Sequence, residues 1–287
     1  MQAVILAGGL GTRLSTLTGD RPKSLVPVLG RPFLDYQLAL LDSHGVTDVV
    51  LCVGHLAAQI REHVGNGSRF GVRVRLSDEG ERRLGTGGAL RWAEALLDDA
   101  FLVLFGDSYL VLDYRAVMAS LLASDRLGLM VVRRNDDGYE SSDVVVDDGF
   151  VAAYGRDRSG PRMVYINYGL SALRRRALLS LARGAACSLQ ELYRPLIEAR
   201  QLLAYEVHDH YYEIGSPRGL ADLEQWLATQ RDIEERPGSP GALPSVGGVG
   251  AMSGPPLPSE ERPGCPGALP SVGGVGAMSG PPLPSAP

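Results

Sequence analysis

The sequence predicts an α/β fold with a mostly parallel, partly mixed sheet and helices on both of its faces. Short continuous apolar runs at residues 3–6, 49–53 and 101–105 are typical of strands buried inside a parallel sheet. Segments with helical spacing of apolar residues separate these runs, which favours strand–helix–strand units. The first run also leads directly into a glycine-rich loop. Together these features indicate a Rossmann-like arrangement, and 287 residues are ample for its core.

The first half of the chain alternates strands with helices. A helix is expected over residues 32–44, where Leu34, Leu38 and Leu41 share one face and Gly45 ends the helix. The other elements expected in this half are strands at 49–53, 72–76 and 101–105 and helices at 56–64 and 89–97.

Strands predominate after residue 127, which predicts an antiparallel or mixed extension covering one side of a ligand cleft. Asp147-Asp148-Gly149 is a hairpin turn signal. Ser188, followed by Glu191 three residues later, predicts a capped helix start. The expected elements are strands at 127–132, 144–146, 151–154, 163–170 and 203–207 and helices at 188–199 and 217–233.

The composition changes abruptly near residue 236. A segment of 20 residues, PGALPSVGGVGAMSGPPLPS, occurs at 240–259 and again, letter for letter, at 266–285. It is rich in proline and glycine, nearly uncharged and without aromatic residues, so it lacks the apolar surface needed for a core. We therefore expect residues 236–287 to form a disordered tail; a binding arm is the weaker alternative.

Charge and cysteine content exclude several classes of protein. The net charge of −5 offers no general attraction to nucleic acid or to an anionic membrane. No leader segment is recognisable, and no apolar run approaches the roughly 18 residues of a membrane span. The three cysteines are far apart, which argues against a disulfide framework or a cysteine-rich metal site. We expect a cytoplasmic protein that binds neither nucleic acid nor membrane.

The loop after the first strand has the composition of a phosphate-binding site. Gly8, Gly9 and Gly11 let backbone N–H groups approach an anion, and Arg13 and Lys23 add positive charge at two separate points. An ordinary glycine-rich turn is the alternative. The basic residues that follow the glycines favour the phosphate interpretation.

Five motifs resemble the signature of the sugar-1-phosphate nucleotidyltransferases, also called nucleotide-sugar pyrophosphorylases. The first is LAGGLGTRL, followed after six residues by RPKSLVPVLGRPFLDYQL. The others are LGTGGAL at 84–90, FGDS at 105–108, INYGL at 166–170 and YEIGSPRGL at 212–220, and the resemblance covers about residues 1–229. Any one motif alone is a weak signal, but their coincidence in order and spacing is a strong one.

The resemblance implies a glycosyltransferase-A-like nucleotidyltransferase fold and a reaction. A sugar 1-phosphate attacks the α-phosphorus of an NTP, giving an NDP-sugar and pyrophosphate. The implied catalytic domain spans residues 1–235, with a nucleotide-binding part over about 1–126 and a sugar-binding part over about 127–235. The motifs are most similar to those of heptose 1-phosphate and mannose 1-phosphate guanylyltransferases, which favours GTP. A homo-oligomer is compatible with the family.

The same resemblance assigns roles to individual residues. Arg13 would hold the leaving β- and γ-phosphates, and Lys23 would bridge the α-phosphate and the sugar phosphate. The implied nucleotide-binding residues are Leu6, Ala7, Gly8, Gly9, Gly11, Thr12, Gly85, Thr86 and Gly87. In LGTGGAL the glycines would let the base lie against backbone, while a glycine-rich helix start is the alternative.

The implied metal is Mg²⁺, held by Asp107 and Glu213, and Asp107 together with Arg13 and Lys23 forms the catalytic set. The residues implied to bind the sugar phosphate are Glu140, Arg156, Asn167 and Gly169. Two positions depart from the family pattern. Glu213 stands where the family usually has Asp, and Arg156 where it usually has Lys, so neither is equivalent to the usual residue.

Three alternatives remain open at this point. The enzyme could use UTP or CTP, and it could act on a non-sugar substrate such as choline phosphate. The departures at Glu213 and Arg156 also leave open a regulatory subunit that binds nucleotide-sugars without turnover. A dinucleotide-binding dehydrogenase is disfavoured, because the glycines do not follow the G-x-G-x-x-G spacing.

Overall fold

The computed structural model describes residues 1–9, 19–136, 141–155 and 162–234, with side chains up to residue 230. Over these ranges the strands form one large mixed sheet with helices packed against it. The predicted tail at 236–287 lies outside the described residues.

The first half of the chain builds the parallel part of the sheet. Its strands are β1 (Gln2–Leu6), β4 (Asp48–Val53), β5 (Arg73–Asp78) and β6 (Ala100–Phe105). They pair in the order β5-β4-β1-β6, and each neighbouring pair is parallel. All four strands therefore present their carboxyl ends at the same edge of the sheet, where open α/β sheets bind ligands.

The second half continues the same sheet with mixed pairing. Its strands are β8 (Gly128–Arg134), β9 (Val144–Asp147), β10 (Phe150–Tyr154), β11 (Tyr165–Arg174) and β12 (Leu202–Val207). Among the described residues the full order is β5-β4-β1-β6-β11-β8-β12-β10-β9, with β11 antiparallel to β6 and to β8. The predicted mixed extension is confirmed, and β9 and β10 are joined at the predicted Asp147–Gly149 turn.

The helices lie where the apolar spacing predicts them, with two differences. They are α1 (Phe33–Ser43), α2 (Ala57–Val64), α3 (Gly85–Trp92), α4 (Tyr114–Leu122), α5 (Leu189–Glu198) and α6 (Pro217–Glu234). The expected helix at 89–97 instead begins four residues earlier and changes to a 3₁₀ turn at Ala93–Leu96. Helix α4 is not among the predicted elements, although Asp113 accepts hydrogen bonds from the amides of Arg115 and Ala116 as a standard N-cap. The capping box of Ser188 and Glu191 is present as predicted.

Two short ribbons accompany the main sheet. Strands β2 (Pro27–Val28) and β3 (Arg31–Pro32) form a hairpin before α1. Strands β7 (Ser108–Leu110) and β13 (Tyr211–Glu213) pair in antiparallel fashion although a hundred residues separate them in sequence. The second ribbon brings a late segment of the chain to the carboxyl end of β6.

Apolar side chains fill both faces of the sheet. One cluster centres on α1, whose Phe33, Leu34 and Leu38 are fully buried against β1 and β4. The other lies between the sheet and the helices α3 and α5, where Leu90 and Leu192 are fully buried. Within the described ranges, no helix is long and apolar enough to cross a bilayer.

Candidate active site

Two joined cavities open at the carboxyl edge of the sheet. The smaller one has a volume of about 340 Å³ and the larger one about 810 Å³. Both volumes lie in the range of small-molecule sites, roughly 300–1,000 Å³. Phe105 and Asp107 line both cavities, so the end of β6 is the point at which they meet.

The smaller cavity is built around the loop that follows β1. Its predicted lining residues are present as Leu6, Ala7, Gly8, Gly9, Gly85 and Thr86. Lys23, from the 3₁₀ turn Lys23–Leu25, and Asp107 also line it. Gly11, Thr12 and Arg13 lie outside the described residues.

The glycines of LGTGGAL also pack closely against the segment that precedes α5. Gly87 is absent from the cavity wall, and a Cβ at this position would stand 2.5 Å from the Ser188 carbonyl oxygen. The Gly87 amide donates a hydrogen bond of 2.9 Å to the carbonyl of Cys187. Thr86 lines the cavity, but its hydroxyl oxygen accepts a hydrogen bond of 2.9 Å from the Leu189 amide. The motif therefore joins α3 to the start of α5 as well as forming one wall of the cavity.

Lys23 and Asp107 form an ion pair at the junction of the two cavities. The Lys23 Nζ lies 2.6 Å from the Asp107 Oδ2, and the two side chains are 20% and 37% exposed. Pro22 precedes Lys23 with an extended backbone, φ −58° and ψ 142°, and starts the 3₁₀ turn. A cation and a carboxylate predicted to serve the same reaction are thus in direct contact.

Three contacts hold the segment that carries Asp107. The side-chain amide of Gln37, from α1, donates to the carbonyls of Phe105 and Ser108 at 3.0 and 2.8 Å. The Ile214 amide donates to the Asp107 carbonyl oxygen at 2.9 Å. Because Gln37 is 2% exposed, these bonds are shielded from water and hold the loop in one position.

Glu213 reaches the cleft through the short ribbon of β7 and β13. It is paired with Ser108, the residue after Asp107, and both Glu213 and Asp107 line the larger cavity. Its carboxylate accepts a hydrogen bond of 2.7 Å from the Ser216 hydroxyl and another from the Gly215 amide. These donors stand just before α6, where the helix dipole also favours a negative charge. The hydrogen bonds from Gly215 and Ser216 therefore hold the Glu213 side chain, which is one methylene longer than the usual Asp, at the start of α6.

The larger cavity contains the predicted Asn167 and Gly169. The side-chain oxygen of Asn167 accepts from the Gly169 amide at 3.0 Å, and its Nδ2 donates to the Tyr154 hydroxyl at 3.2 Å. Gly169 has a φ of 99°, which only glycine adopts readily, at a break in the pairing register of β11. Glu140 and Arg156 lie outside the described residues.

The larger cavity also has polar residues that the sequence did not single out. The Asp143 carboxylate accepts a hydrogen bond of 3.0 Å from the backbone amide of Asn167. Arg194, on α5, also lines the wall. Arg194 lies six residues after the predicted helix cap, so the helical pattern alone describes it as one more polar residue of α5. Only the pairing of β11 with β9 and the packing of α5 against β10 bring these side chains together.

Two polar side chains of the smaller cavity are buried without a hydrogen-bond partner among the described residues. These are the Ser24 Oγ and the Glu79 Oε2, on residues that are 2% and 8% exposed. Burial raises the pKa of the Glu79 carboxyl, a hydrogen bond with the Leu84 backbone opposes the rise, and the negative charge of Asp78 adds to it. Neither residue is among the predicted site residues.

The carboxylates of the cleft fit a divalent cation that is shared with a phosphate. Asp107 and Glu213 supply hard oxygen donors, and Mg²⁺ commonly takes one or two protein carboxylates together with substrate phosphates. In the part of the chain that the structure describes, no group of three or more His, Cys, Asp or Glu side chains could hold a metal ion. A metal bound here would therefore depend on oxygens from the substrate.

The sheet order and the two-part cleft define an α/β protein with a cleft of small-molecule size at the carboxyl ends of its strands. The family described as nucleotidyl transferase matches residues 2–141. The chain is 30% identical over 256 residues to the mannose-1-phosphate guanylyltransferase catalytic subunit beta of Danio rerio, covering 86% of this chain and 71% of that protein. The chain belongs to the nucleotidyl transferase family, which generally uses a divalent metal. The family resemblance and the enzyme class predicted from the motifs are confirmed.

Two further comparisons cover nearly the whole length of the similar protein. The chain is 28% identical over 218 residues to a D-glycero-alpha-D-manno-heptose 1-phosphate guanylyltransferase of Campylobacter jejuni, covering 76% of this chain and 96% of that protein. The crystal structure of HddC from Yersinia pseudotuberculosis complexed with GMP-PN has a TM-score of 0.66 and 27% identity, over 79% of this chain and 99% of that one. Other relatives are matched over only 32% and 42% of their own length. The structural similarity confirms the predicted fold class.

Proposed function

We propose that the protein transfers a nucleotidyl group from an NTP to a sugar 1-phosphate, giving an NDP-sugar and pyrophosphate. One observation carries this proposal: the Lys23–Asp107 pair stands where two cavities of different character join. The smaller cavity has the glycine loop suited to a nucleotide, and the larger one is lined by polar side chains suited to a sugar. Two anionic substrates bound in this way would meet at Lys23.

The proposed reaction is an in-line displacement at the α-phosphorus. An oxygen of the sugar phosphate forms a new bond to that phosphorus, and the bond to the oxygen that bridges the α- and β-phosphates breaks. The electron pair of the broken bond leaves with pyrophosphate. Because both reactants are anions, the main task of the protein is to hold them in line and to offset their repulsion.

Lys23 is the residue proposed to bring the two phosphates together. Its ammonium stands at the junction, so one cation can contact the α-phosphate and the sugar phosphate at once. We propose that Arg13 stabilises the leaving pyrophosphate, a role that rests on the sequence motif. In the larger cavity, Asn167 and Gly169 are proposed to contact the sugar. Glu140 is a weaker candidate for the sugar hydroxyls, and Arg156 is proposed to contact the sugar phosphate.

Asp107 and Glu213 are proposed to hold Mg²⁺. When bound, the ion would neutralise phosphate charge and make the α-phosphorus more electrophilic. The chain's own part is to fix the two carboxylates: Gln37 and Ile214 hold the Asp107 segment, and Ser216 holds Glu213. The donors on Glu213 leave its carboxylate with further lone pairs for a cation.

GTP is the proposed nucleotide, and heptose or mannose 1-phosphate the proposed acceptor. The support is the LGTGGAL motif and the names of the relatives from Danio rerio and Campylobacter jejuni. Since the reaction uses NTPs, we propose a cytoplasmic enzyme that acts on small molecules. The net charge of −5 agrees with the absence of nucleic acid or membrane partners.

The proposal is tested by pyrophosphate release from each of the four NTPs against a panel of sugar 1-phosphates, with and without Mg²⁺. We expect release from at least one pair, only with metal, and loss of release in the Lys23→Ala variant. Choline phosphate is included in the panel as a non-sugar acceptor. Binding of an NDP-sugar without release of pyrophosphate from any pair would indicate a regulatory binding protein and not an enzyme.

A further inference from the structure

Ser24 lies in the 3₁₀ turn Lys23–Leu25, directly after the proposed phosphate ligand Lys23. Both residues line the smaller cavity, together with Gly8 and Gly9 of the glycine loop. Ser24 does not line the larger cavity, whereas Asp107 lines both. A ligand that contacts the Ser24 side chain is therefore one that occupies the smaller cavity.

The hydroxyl of Ser24 is buried without a hydrogen-bond partner. The residue is 2% exposed, and its Oγ is the only buried hydroxyl oxygen among the described residues that has no partner. The hydroxyl of Ser171, on a residue that is 3% exposed, lies 2.9 Å from the Tyr193 hydroxyl. A buried polar group without a partner costs free energy. A ligand oxygen that pairs with the Ser24 hydroxyl would recover this cost on binding.

The surroundings of Ser24 favour an anionic partner. Lys23 brings a positive charge to the same wall, and the glycines of the loop after β1 let N–H groups approach an anion. A hydroxyl can donate and accept, so the ribose of a nucleotide is the competing partner. A hydrogen bond to an ionised oxygen is roughly twice as strong as one between neutral groups. The phosphates, which Lys23 attracts, are therefore the favoured partner of its neighbour Ser24.

We propose that the Ser24 hydroxyl donates a hydrogen bond to a phosphoryl oxygen of the bound nucleotide. The inference rests on the proposed function, in that the smaller cavity is the nucleotide site of that reaction. It extends the proposal by adding an uncharged donor beside Lys23, at a position to which the motifs assign no role. The serine then destabilises the free protein slightly and stabilises the complex with the nucleotide.

Equilibrium binding of nucleoside diphosphates to the full chain tests the inference without turnover. Isothermal titration calorimetry first identifies which of GDP, ADP, UDP and CDP the wild type binds most tightly, so the test does not depend on the base. Ser24→Ala should weaken the binding of that diphosphate at least about tenfold, the effect of one hydrogen bond to a charged group. The 2′-deoxy and 3′-deoxy forms of the diphosphate should lose the same factor.

Two further variants separate the hydrogen bond from packing. Ser24→Cys keeps a side chain of similar size, but a thiol is a weak donor, so it should weaken diphosphate binding as Ser24→Ala does. Ser171→Ala removes a buried hydroxyl that has a partner, so it should lower the melting temperature and keep the wild-type affinity. Ser24→Ala removes an unpaired hydroxyl, so the nucleotide-free variant should melt at the wild-type temperature or above it.

The results distinguish this inference from the proposed function. Wild-type diphosphate affinity in Ser24→Ala overturns the role of Ser24 and leaves the proposed reaction intact. A loss that Ser24→Cys does not share indicates packing, and a loss that vanishes with a deoxy form identifies the ribose; either result also overturns the inference. A wild type that binds none of the four diphosphates overturns it together with the proposed nucleotide site. Diphosphate binding that depends on the Ser24 hydroxyl supports the inference even if no sugar 1-phosphate is turned over.

Discussion

The Lys23 ammonium and the Asp107 carboxylate lie 2.6 Å apart, so the proposed phosphate ligand and the proposed metal ligand neutralise each other. Lys23 must release this contact to bind a phosphate, and Asp107 must release it to bind a metal ion. A metal ion at Asp107 and a phosphate at Lys23 would replace the pair with two new ion contacts. We therefore expect metal binding to depend on the position of Lys23.

Lys23→Ala is expected to strengthen metal binding while lowering turnover. Removal of the ammonium leaves the Asp107 carboxylate without its competing cation, so Mn²⁺ should bind several-fold more tightly in the absence of nucleotide. Turnover should fall at least about a hundredfold, as for a lost transition-state charge contact. Electron paramagnetic resonance of free Mn²⁺ measures the affinity, and Arg21→Ala removes an exposed nearby cation as the control. Unchanged Mn²⁺ affinity in Lys23→Ala would show that the pair does not compete with metal.

Asp107→Asn is expected to lower turnover at least about a hundredfold without unfolding the protein. The side chain is 37% exposed, so the loss of its ion pair should have little effect on the free energy of unfolding. Steady-state kinetics and thermal melting measure the two effects separately. Asp125→Asn, which changes an exposed carboxylate elsewhere, should leave both unaffected. Full activity of Asp107→Asn would remove this residue from the site.

Glu213→Asp is expected to reduce turnover by about tenfold, even though Asp is the usual family residue. The Ser216 hydroxyl and the Gly215 amide hold the carboxylate at the reach of a glutamate, and a shorter side chain would lose one of the two positions. Ser216→Ala should weaken the binding of Mn²⁺, a change that a purely structural role of Ser216 would not produce. A faster Glu213→Asp enzyme would mean that the natural glutamate is a compromised ligand.

Asp48 is expected to stabilise the fold at neutral pH and to lose this effect in acid. Burial alone would raise the pKa of this carboxyl, but hydrogen bonds from Arg73, Arg75 and Gln2 outweigh burial and lower it. The folded state therefore holds the proton of Asp48 less tightly than the unfolded state does. The resulting stabilisation is fully present above the unfolded pKa of about 3.9. It is lost as the pH falls through the lower pKa of the folded state.

The measurement is urea unfolding of Asp48→Asn and of the wild type at pH 7 and in acid. At pH 7 the variant should be less stable by about 2 kcal/mol, the contribution of a charge-assisted hydrogen bond. The difference should shrink as the pH falls below 4. A difference that stays constant with pH would mean that packing, not the charge, accounts for the effect.

The order of strands and helices could be predicted because it depends on local apolar patterns. The runs that form β1, β4 and β6 are continuous and buried, so their carboxyl ends, including Asp107, were expected at one edge. The start of α3 was predicted too late, because glycines are poor helix formers. Contacts of Gly87 with the segment before α5 stabilise that start, and no local pattern records them.

The site was only partly predictable, since several of its contacts join distant segments. Strands β7 and β13 have three residues each, too few for a periodic pattern, yet their pairing brings Glu213 beside Asp107. Glu79 lies in the charged run DEGERR, which is typical of a solvated loop. Only the fold distinguishes its buried carboxylate from its exposed neighbours.

The most direct test of the central claim follows the phosphate oxygens of the sugar 1-phosphate. A sugar 1-phosphate labelled with oxygen-18 in its non-bridging phosphate oxygens is incubated with GTP, Mg²⁺ and the full chain, and the products are analysed by phosphorus NMR and mass spectrometry. We predict that all of the label remains in the NDP-sugar, with one labelled oxygen bridging the two phosphorus atoms, and that pyrophosphate contains none. Labelled pyrophosphate, or GTP hydrolysis that leaves the sugar phosphate unchanged, would contradict attack by the sugar phosphate on the α-phosphorus.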